Sequence, residues 1–203
     1  MKAQTFIAQF QQTTVQAKRS KLKDMLAVQE ILDDVITRGD QALLDYTQRF
    51  DHQLLEQPEQ FKVTYQQLKD SWDALDEDLQ AALRLAKERI ETYEQRILYQ
   101  DNCHRQLSYV YKPIQRVGVY VPGGTALYPS SVLMTIVPAL VAGVKEIVVT
   151  TPVFQDTSIT FAALYLCGVT DHVYRLGGAQ AIAALAYGTK TVPKVDLICR
   201  NAY

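Results

Sequence analysis

One stretch constrains the fold more than any other: Arg116 to Met134, reading RVGVYVPGGTALYPSSVLM. Val117, Val119 and Val121 are β-branched, with Gly118 and Tyr120 between them, and the pattern predicts a buried strand. Pro122-Gly123-Gly124 ends it with residues that tolerate positive φ and close backbone approach. Pro129-Ser130-Ser131 then offers a helix start, because a serine oxygen accepts from an unpaired N–H of the first turn. Val132, Leu133, Ile136, Val137, Leu140 and Val141 follow at helical spacing. Strand, glycine turn and helix open a βαβ unit. In open α/β sheets ligands sit at the carboxyl ends of strands, which here means Tyr120 to Thr125.

The pattern repeats downstream. Glu146 to Thr150 reads as a second strand, and Thr157 to Leu166 as a helix ending at Gly168. His172 to Arg175 is a short third strand closed by Gly177-Gly178, Ala179 to Tyr187 a helix stopped by Gly188, and Lys194 to Cys199 a fourth strand. Strands alternating with helices over short connections predict a parallel sheet with right-handed crossovers.

Upstream of residue 110 the composition changes to Gln, Asp, Glu and Lys. Met25 to Thr37 predicts a helix with Leu26, Val28, Ile31, Leu32, Val35 and Ile36 on its apolar face. Gly39 suits its stop, and Asp40 the N-cap of a second helix through Phe50. Phe61 and Val63 alternate with polar neighbours as a short strand. Tyr65 to Trp72 and Asp76 to Leu98 are further helices; Glu77, Asp78, Lys87, Glu88, Arg89, Glu91 and Glu94 form the solvated face of the longer one. Leu107 to Tyr111 alternates like an edge strand leading into the central one. The expected organisation is a mainly helical part over 1–110, then a Rossmann-like α/β parallel sheet over 111–203, incomplete because the chain stops after its fourth strand.

Charge and cysteine content narrow the partners. A net charge of −1 over 203 residues gives no electrostatic footprint for nucleic acid or an anionic membrane. Cys103, Cys167 and Cys199 are an odd, unclustered set, expected as reduced thiols in a cytoplasmic protein. MKAQTFIAQFQQ lacks the apolar run of a signal peptide, and Val132 to Val144 is too short and too interrupted to span a membrane.

Chemistry is less legible. No G-x-G-x-x-G is present. The Gly-Gly pairs at 123–124 and 177–178 each follow a strand and precede a helix, which suits either a plain tight turn or a phosphate at a helix N-terminus. His52, His104 and His172 are scattered without metal-ligand spacing, and no nucleophile motif appears.

Three blocks carry a resemblance: RVGVYVPGGTALYPSSVLM, LGGAQAIAALAYGT with VPKVD, and ILDDVITRGDQALLDYTQRFD over 31–51. Together they resemble the histidinol dehydrogenase family along nearly the whole chain. The resemblance implies an NAD-dependent, zinc-dependent oxidoreductase that converts L-histidinol to L-histidine in histidine biosynthesis. It also implies incomplete Rossmann-like domains in an intertwined homodimer. The family's NAD contacts fall on Tyr120, before PGG, and on Gln180, the glutamine of GGAQ. A third, an asparagine after a Gly-Pro-Gly turn, falls on Asn201 with a two-residue deletion or on Tyr203 without one. Family members are much longer, and their zinc ligands, acid–base pair and substrate-gripping residues lie in the C-terminal half. No catalytic or metal residue is therefore assigned here. The expectation is an N-terminal half, inactive alone; the rival readings are a non-catalytic nucleotide-binding or assembly module, or a non-functional remnant.

Overall fold

The computed structural model describes residues 22–103, 107–123, 128–152 and 158–200. Its centre is a four-stranded, wholly parallel sheet of β3 (Arg116–Tyr120), β4 (Glu146–Thr150), β5 (Val173–Tyr174) and β6 (Leu197–Arg200). Spatial order is β5-β4-β3-β6. Register aligns Tyr120 with Thr150 on one side and with Arg200 on the other. The chain therefore steps outward from β3 to β5, then returns across the sheet to lay β6 on the far side of β3. This is the order of a Rossmann-like half-sheet, and its direction reverses between β3 and β6.

Side chains alternating across the pleat divide the core in two. Val117, Val119, Ile147, Val149 and Val173 face one cluster, closed by α5 (Pro129–Val141) and α6 (Ser158–Leu166). Val148 and Tyr174 face the other, closed by α7 (Gly178–Tyr187) through Ala181, Ala184 and Leu185. The upstream helices complete both layers. Leu68 and Trp72 of α3 (Tyr65–Asp73) and Leu83 of α4 (Glu77–Ile97) join the first. Val35 of the helix over residues 22–38 (α1), and Ala42 and Leu43 of α2 (Asp40–Asp51), join the second. Fully buried Leu133, Ile136, Leu164 and Leu185 each contribute about 1.5–3 kcal/mol relative to exposure. The helical part and the alternating sheet are as the sequence predicts.

Local details differ for physical reasons. Asp40 does not cap α2: the N-cap is Gly39, at φ 55° and without a side-chain cap bond. The Asp40 carboxylate instead accepts from Thr191 Oγ1 at 2.7 Å and from Thr191 N at 3.4 Å, fastening α2 to the turn after α7. Around Phe61 the chain forms a 3₁₀ turn, Pro58–Phe61, and one antiparallel bridge from Lys62 to Tyr174, not a strand. Of 107–111 only β2 (Ser108–Tyr109) is extended, and it pairs with β1 (Asn102–Cys103) in a separate ribbon. The last strand begins at Leu197, three residues later than predicted, because Lys194 to Asp196 are spent descending from α7, with Val195 N donating to Leu185 O. At α5 the N-cap is Tyr128, whose side chain makes no capping bond, and Pro129 opens the first turn in place of a serine cap.

Replacing Asp40 with alanine should cost about 1.5–3 kcal/mol, the range for hydrogen bonds to a charged group. Urea unfolding of Asp40→Ala and Thr191→Val, singly and together, checks this. The double variant should lose little more than either single one, and full additivity would show that the two residues act separately.

Candidate functional site

The strand reversal leaves a crevice where β3 and β6 end side by side. Tyr120 closes β3 and Arg200 closes β6. Val28 and Leu32 of α1 form one wall, and Gly178, Ala179 and Ile182 of α7 the other, around a cavity of about 390 Å³. Arg38 ties α1 to α2 through Asp45 at 2.6 Å and pairs along its own helix with Asp34 at 2.5 Å, keeping both carboxyls below the usual carboxylate range. A wider hollow of about 520 Å³, beside Tyr99, Pro113 and Val144, lies near the amino-terminal side of β4, away from the strand ends where such sheets bind ligands.

The first turn of α7 organises the crevice. Gly178 sits at φ 63°, a left-handed conformation open to glycine at little cost. Its N–H donates to Tyr120 Oη at 3.2 Å, so the tyrosine, half-buried against the second core cluster, holds the helix start over the sheet. A Cβ added at Gly178 would lie 2.6 Å from Gln180 Oε1. The Gln180 amide therefore folds back on the same glycine. Tyr120 and Gln180, far apart in sequence, both border Gly178. Gln180 is not a solvated first-turn residue: it is fully buried, behind the crevice wall rather than on it.

The polar balance there is unusual. Neither Gln180 Oε1 nor Nε2 has a hydrogen-bond partner, and Thr150 Oγ1, at the carboxyl end of β4, also lacks one. An unpartnered buried polar group costs about 1–3 kcal/mol, and such groups gather where a ligand or strain accounts for them. Asp51, the last residue of α2, places Oδ1 3.6 Å from where a Gly177 Cβ would stand. That Cβ would also lie 2.7 Å from Pro152, just beyond β4, so the carboxylate rests against the glycine turn. Sequence reasoning missed Asp51, Arg200 and the wall from α1. Asp51 closes the quoted block over 31–51, and only the fold brings it to the sheet.

Asn201 and Tyr203 lie outside the described residues, as do Gly124, Thr125 and His104. The described residues hold no group of three or more His, Cys, Asp and Glu placed to bind a metal ion. No helix among them is long and apolar enough to cross a membrane. Burial pushes the Cys167 thiol up to about 12, leaving it inert near neutral pH.

Sheet order and the strand-end crevice together define an incomplete Rossmann-like α/β fold. The family model for histidinol dehydrogenase matches residues 14–201, and the chain belongs to that family. It is 46% identical over 187 residues to the histidinol dehydrogenase of Prochlorococcus marinus (strain MIT 9313), covering 88% of this chain and 41% of that protein. With the Streptococcus mutans enzyme identity is 43% over 193 residues, covering 92% and 44%. The crystal structure of histidinol dehydrogenase from Elizabethkingia anophelis superposes with a TM-score of 0.81 at 28% identity, covering 88% of this chain and 42% of that one. The chain thus spans about two fifths of the length of these relatives.

Burial raises the Asp51 carboxyl above its ordinary value, with His52 pulling it the other way. The folded chain therefore keeps that proton to a higher pH than the unfolded chain does. Stability is greatest below the unfolded pKa and falls as pH rises through the folded one. Asp51→Asn should raise the Tm of the ligand-free chain at pH 7, and the gain should vanish as pH drops towards 3.5. A gain that stays constant between those pH values would show that the charge is not its source.

Proposed function

We propose that this chain is the cofactor-binding part of an NAD-dependent histidinol dehydrogenase, a cytoplasmic, homodimeric enzyme when complete. The observation that carries this reading is the buried Gln180 amide, unpartnered at both atoms beside Gly178 and Tyr120 at the start of α7. Such an arrangement fits a dinucleotide in three respects. The helix start offers backbone N–H groups and a favourable dipole to an anion. Glycine there lets the ligand approach the backbone closely. The amide has a donor and an acceptor left to satisfy.

NAD, when bound, supplies the hydride acceptor for oxidation of the amino alcohol L-histidinol to the acid L-histidine. The work of this chain's own residues is binding and orientation. Tyr120 presents a ring and a hydroxyl at the switch point, and Gln180 offers its amide; the third contact that the resemblance implies falls on Asn201 or on Tyr203. Val28, Leu32 and Ile182 keep the crevice wall apolar and exclude water. Zinc, which the family uses, finds no ligand set among the described residues. The division near residue 110, into a helical part and a sheet part, belongs to the same proposal.

The purified chain should show no histidinol-dependent reduction of NAD and no stoichiometric zinc. It should bind NAD weakly, with Tyr120→Ala and Gln180→Ala each weakening it by about tenfold or more, the effect of losing one well-placed contact. Calorimetry on the folded variants is the check. Unchanged affinity in both would make these residues ordinary structural positions.

A further inference from the structure

Rossmann-like sheets read the adenosine ribose with an acid at the carboxyl end of the second strand. Here the second strand is β4, and it runs through Thr150 into Thr151-Pro152 with no acid at that place. Asp51 reaches the same place from outside the sheet. A Cβ built on Gly177 would lie 2.7 Å from Pro152 and 3.6 Å from the Asp51 Oδ1, so the carboxylate and the strand end flank one glycine.

We propose that Asp51 replaces the missing strand-end acid: it accepts from the ribose 2′-hydroxyl of the adenosine and excludes cofactors that carry a 2′-phosphate. This rests on the cofactor reading of the crevice beside it, whose wall begins at Gly178 next to Gly177, and adds to it a rule of cofactor choice. Three observations converge on it. Among the described residues no group hydrogen-bonds or ion-pairs with the Asp51 carboxylate, although it is half-buried and lies beside His52. The neighbouring helix start carries the fully buried, unpartnered Gln180 amide, a second polar group at the same glycine turn with nothing to bond to. Finally, α2 ends immediately after Asp51 because His52 adopts φ 55°, a conformation rare outside glycine, which stops the helix with the carboxylate at the turn. A free carboxylate suits a hydroxyl donor and repels a phosphate dianion, so one group supplies both attraction and exclusion.

The probes are adenosine 5′-monophosphate and adenosine 2′,5′-bisphosphate, measured on the full chain by ligand-observed NMR. Wild type should bind the monophosphate about tenfold tighter than the bisphosphate. Asp51→Asn should shift that ratio about tenfold towards the bisphosphate, while Asp51→Glu keeps the wild-type preference. Because the two affinities are compared on one sample, partial unfolding of a variant leaves the ratio intact. A bisphosphate that binds wild type as tightly as the monophosphate overturns the proposal without any variant. So does a ratio unmoved in Asp51→Asn, or one moved instead by Asp156→Asn, the next acid after β4. If wild type binds neither probe, the cofactor reading of the crevice falls, and the role of Asp51 with it.

Discussion

The structure depends on how closely α7 lies on β3. A Cβ at Gly118 would stand 2.9 Å from Val195 and 3.2 Å from Leu185, so the strand has no side chain where the helix and its descending loop cross it. Overfilling such a contact by a methyl group typically costs about 1–3 kcal/mol. From that approach the rest follows. It fixes the start of α7 over the end of β3, within hydrogen-bond reach of Tyr120. It also brings the chain down beside β3, so that β6 pairs there and the crevice opens between the two strand ends.

Much of this was legible in the sequence because it rests on local pattern. Valines at every second position announce a strand, and the repeated strand–glycine–helix unit implies a parallel sheet. Tyr120 was marked by its place at a strand end before two glycines. What stayed hidden depends on tertiary competition. Asp40 has the chemistry of an N-cap, yet Thr191, far along the chain, takes its carboxylate. Val63 alternates like a strand residue, but after a 3₁₀ turn its N–H donates to Val173 O while Phe61 O accepts from Arg175 N, and this single pair of bonds makes a bridge and not a strand. No periodicity places Asp51 beside Gly177; that needs α2 docked on the sheet.

The two core clusters separate stability from chemistry. On the face of α5 and α6, the buried side chains from Val132 to Val137 and from Phe161 to Leu164 are nearly all apolar, and close packing stabilises the sheet there. On the face of α7 the cluster is bordered by Gln180, whose amide has no partner within the protein, and by the half-buried Asp51. A fold under selection for stability alone would place apolar side chains at such positions. The place of Gln180, at the helix start over the carboxyl ends of the strands, argues for a ligand that completes it.

The helix α1 extends the same logic outward. Val35 is buried and Leu32 packs against the second cluster, whereas Leu22, Met25 and Leu26 are more than half exposed. A helix serving only this sheet would need one apolar stripe. This one carries apolar side chains beyond the stripe it uses, and Val28 and Leu32 turn part of that surface into the wall of the crevice. The crevice is therefore bounded by a helix that is itself only partly covered. Burying Leu22, Met25 and Leu26 would stabilise by about 1.5–3 kcal/mol for each side chain. It would also hold the wall closer to Tyr120. Packing on the outside of α1 and ligand binding on its inside are thus coupled through one helix, and the first should tighten the second.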